Sequence, residues 1–165
     1  MASSFKVLAC SLPHWYQDFK HITVKSLMME LPPDFIAYLR QDGVVMPEEV
    51  EEEEISRSDW SDSDNDGEDE GDEEVEKKRP SFPELTGFIK SAMTTFGGPV
   101  FPKLNWSSPK DAAWVNGGTT KCTHARDVYT LLKSSDFVMH DVDFALDEVR
   151  LNEDESNEFS ARCWQ

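Results

Sequence analysis

The sequence predicts an α+β fold assembled from two apolar stretches with an acidic insert between them. Apolar residues recur at helical spacing over 33–40 and 82–96, and two short runs, 22–31 and 100–104, have the length and composition of strands. Charge is the third observation. Of the net −17 carried by 165 residues, the segment 48–76 supplies −16, from seventeen acidic side chains and one arginine. The remainder nets only −1, so the folded part carries no acidic surface that needs explaining. The organisation that follows is a first folded part over 1–46, a disordered acidic linker over 47–80, a continuation of the same domain over 81–140, and a divergent, poorly ordered tail over 141–165.

The first part is rich in aromatics. Pro13 suits the first turn of a short helix in which Trp15, Tyr16 and Phe19 share a face, the bland role of which is core packing. The run 22–31 alternates weakly and reads as a strand that stops at Pro32 and Pro33, where a ladder donor is lost. Pro33 then opens a helix with Phe35, Ile36, Tyr38 and Leu39 as its apolar stripe, closed by Asp42 and Gly43.

From residue 47 the composition is Glu, Asp, Ser and Gly, with too little apolar surface to offset roughly 1–2 kcal/mol of backbone entropy per ordered residue. Ser58, Ser61 and Ser63 sit among acids, where a kinase that prefers such surroundings would add further negative charge, and Trp60 is the one large aromatic. Lys77, Lys78 and Arg79 are too few for a nucleic-acid footprint.

Order is expected to return at Ser81, with Glu84 three residues on in a capping-box pattern. Phe82, Leu85, Phe88, Ile89, Ala92, Met93 and Phe96 then define a helix that Gly97 and Gly98 end. The next stretch, VFPKLNWSSPKDAAW, pairs a short apolar strand with a polar turn. Lys103 stands at the strand end, and Asn105, Trp106, Ser107, Ser108, Pro109, Lys110 and Asp111 follow. A cation beside turn N–H groups and hydroxyls is what a bound phosphate requires, although a buried strand with one exposed lysine has the same pattern. Beyond it, Asn116-Gly117-Gly118 marks a turn, and Thr123 can cap a helix that turns Val128, Leu131 and Leu132 inward.

Cys10, Cys122 and Cys163 are odd in number, widely spaced and without a CxxC pair, which favours reduced thiols over a disulfide frame or a zinc site. His14, His21, His124 and His140 have no ligand-spaced neighbours, so no metal is assigned to them. The first residues are too short and polar for a secretory signal, and no run approaches the roughly 18 apolar residues of a membrane span. A cytoplasmic monomer with no membrane or nucleic-acid partner is the expectation.

The run FPKLNWSSPKDAAW is similar, nearly position for position, to the signature of the cell division cycle protein 123 family, eukaryotic factors with an ATP-grasp-like fold. Two further matches keep the family's order: WYQDFKHITVKS with LPPDFIAYLRQDG upstream, and LLKSSDF downstream. Together they cover about residues 5–137. The resemblance implies the N-terminal lobe of an ATP-grasp-like fold. It also implies an ATP-binding assembly chaperone that binds the gamma subunit of eukaryotic translation initiation factor 2 through its N-terminal region. Such a chaperone promotes subunit assembly and supports translation initiation and cell-cycle progression.

By the same carry-over, Lys103 would contact phosphate oxygens, and Asn105, Trp106 and Ser108 would form the lid of the phosphate pocket. Lys110 stands where relatives often have arginine, a swap that keeps charge and loses the two-pronged donor. Asp111 would hold Lys110 or form a turn, and residues 133–137 would lie on the approach to adenine. Family members are longer, and their further half carries the adenine hinge and the magnesium ligands. Asp143, Asp147 and Glu148 lack that context, so the resemblance implies a truncated form that neither binds ATP-magnesium tightly nor catalyses. Two alternatives stand beside it: a ligase-like ATP-grasp enzyme that works through an acyl phosphate, and an acidic disordered interaction module.

Overall fold

Three helices begin where proline fits the first turn, since an N–H there has no intrahelical partner to lose. In the computed structural model, which describes residues 9–50, 79–145 and 160–164, α1 runs Leu12–Phe19 with Pro13 in its first turn, and α2 runs Pro33–Arg40. Between them β1 spans Ser26–Glu30. It is shorter than the apolar run suggests because Ile22 belongs to the exit turn of α1, where its N–H donates to the Phe19 carbonyl at 3.0 Å. Phe19 itself is half exposed, and only Leu12 and Tyr16 of α1 are buried.

The longest helix, α3, spans Pro83–Phe96 and buries Leu85, Thr86, Ile89 and Ala92. Its start corrects the expected capping box: the cap residue is Phe82, and no side chain caps the turn. The Ser81 hydroxyl donates instead to the Glu49 carboxylate, which also accepts from the Phe82 N–H at 3.2 Å. A distant carboxylate thus outcompetes the local pattern. The boundary of the acidic linker moves with it. Residues 48–50 are helical, and Met46 and Val50 are buried in the core, so order persists beyond residue 47. Residues 51–78, with Ser58, Trp60, Ser61 and Ser63, lie outside the described residues. At the other end of α3, Gly97 takes the left-handed conformation (φ 70°), and the N–H groups of Gly97 and Gly98 donate to the Thr94 and Met93 carbonyls, each at 3.1 Å.

The sheet has three antiparallel strands in the order β1-β3-β2, where β2 is Phe101–Lys103 and β3 is Ser160–Trp164. Met28 and Lys103 both lie opposite Arg162, and Leu27 and Pro102 both lie opposite Cys163. The poorly ordered tail expected over 141–165 is therefore corrected at both ends. Its last residues form the central strand, and its first, Asp141 and Val142, are buried. Residues 146–159, including Asp147 and Glu148, lie outside the described residues.

Alternate side chains of a strand face opposite ways, and the sheet uses both faces. Met28 and Phe101 pack with Leu12 and Tyr16 of α1, while Leu27 and Met29 pack against the main core. That core is centred on Phe35, whose ring meets those of Phe82 at 5.1 Å, Tyr38 at 5.6 Å and Tyr129 at 5.8 Å. Burial pushes the Tyr38 hydroxyl up to about 12 and raises that of Tyr129, which pairs with the Thr86 hydroxyl at 2.8 Å.

Tyr129 lies on α4, Ala125–Lys133, whose first turn begins at His124 and not at the expected Thr123. The Asp127 carboxylate sets that start by accepting the N–H groups of Thr123 at 2.8 Å and His124 at 3.0 Å. At the other end of α4, the Lys133 ammonium donates to the carbonyls of Tyr38, Leu39 and Gln41, the C-terminal end of α2, and lies 4.6 Å from the centre of the Tyr38 ring. Burial lowers its pKa, with Asp42 pulling the other way. Lys133 thus helps to close the end of α2, where the Tyr38 carbonyl also accepts the Gln41 N–H at 3.1 Å. Lys133→Met keeps the stem and removes the donors, and it is expected to lower stability by about 1.5–3 kcal/mol in urea unfolding. A loss below about 0.5 kcal/mol would mean that water replaces the ammonium without cost.

Candidate functional site

The segment after β2 is shaped by its own backbone bonds. The Leu104 N–H donates to the Ser107 carbonyl at 2.8 Å, and the Lys110 N–H donates to the Ser108 carbonyl at 2.7 Å, either side of Pro109. Leu104 is buried beneath, which fixes the turn to the core. The turn and the end of β2 line a concavity of 520 Å³ with Phe101, Lys103, Trp106, Ser107, Ser108 and Lys110, to which Thr23, Val24 and Phe137 also contribute. That volume is within the range of small-ligand sites.

Lys103 bends over the turn, its ammonium donating to the Trp106 carbonyl at 2.7 Å. The predicted residues Lys103, Trp106, Ser108 and Lys110 are therefore brought together on one surface, two cations among hydroxyl and peptide groups. Ser107 lines it with them, and its place in the hydroxyl-rich turn was a signal that could have added it.

Asn105 and Asp111 lie outside the lining of this concavity. Asn105 is buried, and its carbonyl accepts the Leu12 N–H at 2.9 Å, which anchors the start of α1. Asp111 faces the short helix α5, Asp136–His140. Its carboxylate accepts from the Ser135 hydroxyl at 2.6 Å, the Asp136 N–H at 2.7 Å and the Phe137 N–H at 3.3 Å. Burial alone would raise its pKa, but the bonds from Ser135, Phe137 and Asp136 outweigh it and the carboxyl titrates below its ordinary range. Asp111 thus caps the N-terminal end of α5.

The residue that no pattern announced is Asp141, in the π-helical turn Asp141–Ala145 after α5. Its buried carboxylate accepts from the Ser107 N–H and the Ser107 hydroxyl, each at 2.8 Å, and from the Trp106 N–H at 3.3 Å. Asp143, next along, pairs with Arg40 at 2.9 Å. Among the described residues no three His, Cys, Asp or Glu side chains gather in a metal-holding group. With Asp111, Asp141 and Asp143 committed to protein donors, these residues do not fit a magnesium ion. The concavity itself is lined by the cationic side chains of Lys103 and Lys110 and by the seryl groups of the turn. Cys10 and Cys122 are free thiols, and no described helix is long and apolar enough to cross a membrane.

The sequence model of the D123 family matches residues 15–163. The chain belongs to the D123 family. The D123 match runs into the tail expected to be divergent from residue 141 and takes in most of β3. Among curated relatives, a protein named translation initiation factor eIF2 assembly protein from Sclerotinia sclerotiorum is 40% identical over 143 residues, covering 86% of this chain and 35% of the relative. One of the same name from Xenopus tropicalis is 39% identical over 148 residues, covering 82% and 42%. The solved structure of Cdc123 from Schizosaccharomyces pombe superposes with a TM-score of 0.71 at 28% identity, covering 99% of this chain and 55% of that one. This D123 chain therefore spans between a third and a half of the length of these curated relatives, and its mixed helix-and-strand fold is that of Cdc123 over nearly its whole length.

Proposed function

We propose that this chain provides the N-terminal lobe of an ATP-grasp-like assembly factor for the translation initiation factor eIF2. In this reading it acts in the cytosol, binds the gamma subunit and supports translation initiation. Nucleotide is a structural ligand, its phosphates held at the concavity beside β2. Lys103 and Lys110 neutralise phosphate charge there, the Ser108 hydroxyl donates to a phosphate oxygen, and Trp106 covers the turn. The observation that carries the reading is that Lys103, Trp106, Ser108 and Lys110, apart in sequence from any glycine-rich phosphate motif, line one concavity. The names borne by the relatives supply the assembly role.

Titration calorimetry of ATP into the chain tests the ligand. Binding is expected, with Lys103→Met weakening it about 10- to 100-fold, the loss that follows from removing a charge-assisted contact. Equal affinity for both proteins would remove Lys103 from the site. Co-precipitation with the purified gamma subunit tests the partner separately, and failure to co-precipitate would end that part of the reading.

A further inference from the structure

Two segments meet at the site, and each gives the other a carboxylate. Asp111, at the end of the turn, caps the start of α5, while Asp141, just past the end of α5, takes hold of the start of the turn. The exchange is reciprocal, but the two ends differ in what they hold. Asp111 binds the backbone that carries Phe137, an apolar wall of the concavity. Asp141 binds the Trp106 and Ser107 amides, and the carbonyl of that same Trp106 receives the Lys103 ammonium.

We propose that Asp141 is the positioning residue of this anion site: by fixing the Trp106–Ser107 turn it fixes the carbonyl that aims the Lys103 ammonium at the concavity. The proposal rests on the phosphate-binding reading and adds to it a residue that never touches the ligand. A lysine side chain has several freely rotating bonds, so its charge is dispersed unless a fixed acceptor collects it. The Trp106 carbonyl is such an acceptor only while its peptide plane is held. Two backbone N–H bonds and one hydroxyl bond to a buried carboxylate hold it, and an ionised acceptor makes these stronger than neutral ones. The site is then pre-set before a ligand arrives, so less ordering accompanies binding.

Asp141→Asn keeps the shape but removes the charge that strengthens the bonds to the turn amides, and its NH2 faces the Ser107 hydroxyl. Three readouts on the full chain separate the possibilities. In nucleotide-free protein, hydrogen exchange at the Trp106 and Ser107 amides is expected to speed up at least tenfold. Labelling of Lys103 by trinitrobenzenesulfonate, read by mass spectrometry, is expected to speed up several-fold. The ATP dissociation constant is expected to rise about tenfold. Asp143→Asn breaks the pair with Arg40 and leaves the turn alone, so it serves as the control that should move none of the three. Ser107→Ala removes a single bond to Asp141 and should shift all three in the same direction by less, which keeps the test available should Asp141→Asn not fold.

Unchanged exchange and labelling in Asp141→Asn would overturn the proposal, as would a loosened turn with unaltered ATP affinity. If the unaltered chain binds no ATP, the nucleotide reading fails. Exchange and labelling then decide on their own whether Asp141 positions Lys103.

Discussion

Phe35→Ala is expected to lower folding stability by about 3–5 kcal/mol. Phe35 is fully buried, and its ring is the common member of contacts to Tyr38, Phe82 and Tyr129. These three lie on or beside different helices, α2, α3 and α4, so removing the ring opens a cavity at the point where the helices converge. Edge-to-face geometry adds to the loss, because such pairs are worth about 0.5–1.5 kcal/mol beyond their buried area. In a chain of this size the change corresponds to a fall in melting temperature of roughly 10 °C by calorimetry. Phe35→Leu, which retains most of the volume, should recover more than half of that loss. A fall of only a degree or two for alanine would mean that neighbouring side chains collapse into the space.

Asp111→Asn is expected to cost about 2–3 kcal/mol at neutral pH, since it weakens a cap made of three hydrogen bonds to a charged acceptor. The pH dependence has a definite sign. The folded protein holds the Asp111 carboxyl below its unfolded value of 3.8, so the ionised form is the one that folding favours. Its contribution is complete above about pH 4 and is lost as pH falls from there through the lowered native value. The stability difference between the two proteins, measured by urea unfolding at pH 6, 4 and 3, should therefore be constant down to pH 4 and then narrow. The many carboxylates of the acidic segment are common to both and cancel. A difference that stays constant down to pH 3 would show that the carboxylate's charge plays no part in the cap.

What the sequence reveals about this fold depends on how far apart the interacting residues are. Helix α3 is legible because its buried residues repeat every turn, and Lys103 is legible because it ends a strand before a polar turn. Ser81 misleads: a capping pattern counts residues three apart, while Glu49, which takes the Ser81 hydroxyl, comes from across the acidic insert. Strand β3 is missed because the alternation in SARCW runs over only four residues, too few to mark it, and its identity as a strand comes from two neighbours far back in the chain. Asp141 leaves no trace at all. A carboxylate that binds main-chain N–H groups needs no complementary side chain, so no residue type at any spacing betrays it.

The arrangement of the sheet also sets an order of events. The middle strand comes from far along the sequence, so β1 and β2 have no hydrogen bonds to each other and are joined only through β3. The helices can pack early, from contacts nearer in sequence, while the sheet closes only through these long-range pairings. The concavity at the tip of β2 thus leans on a keystone brought from a distant stretch of chain.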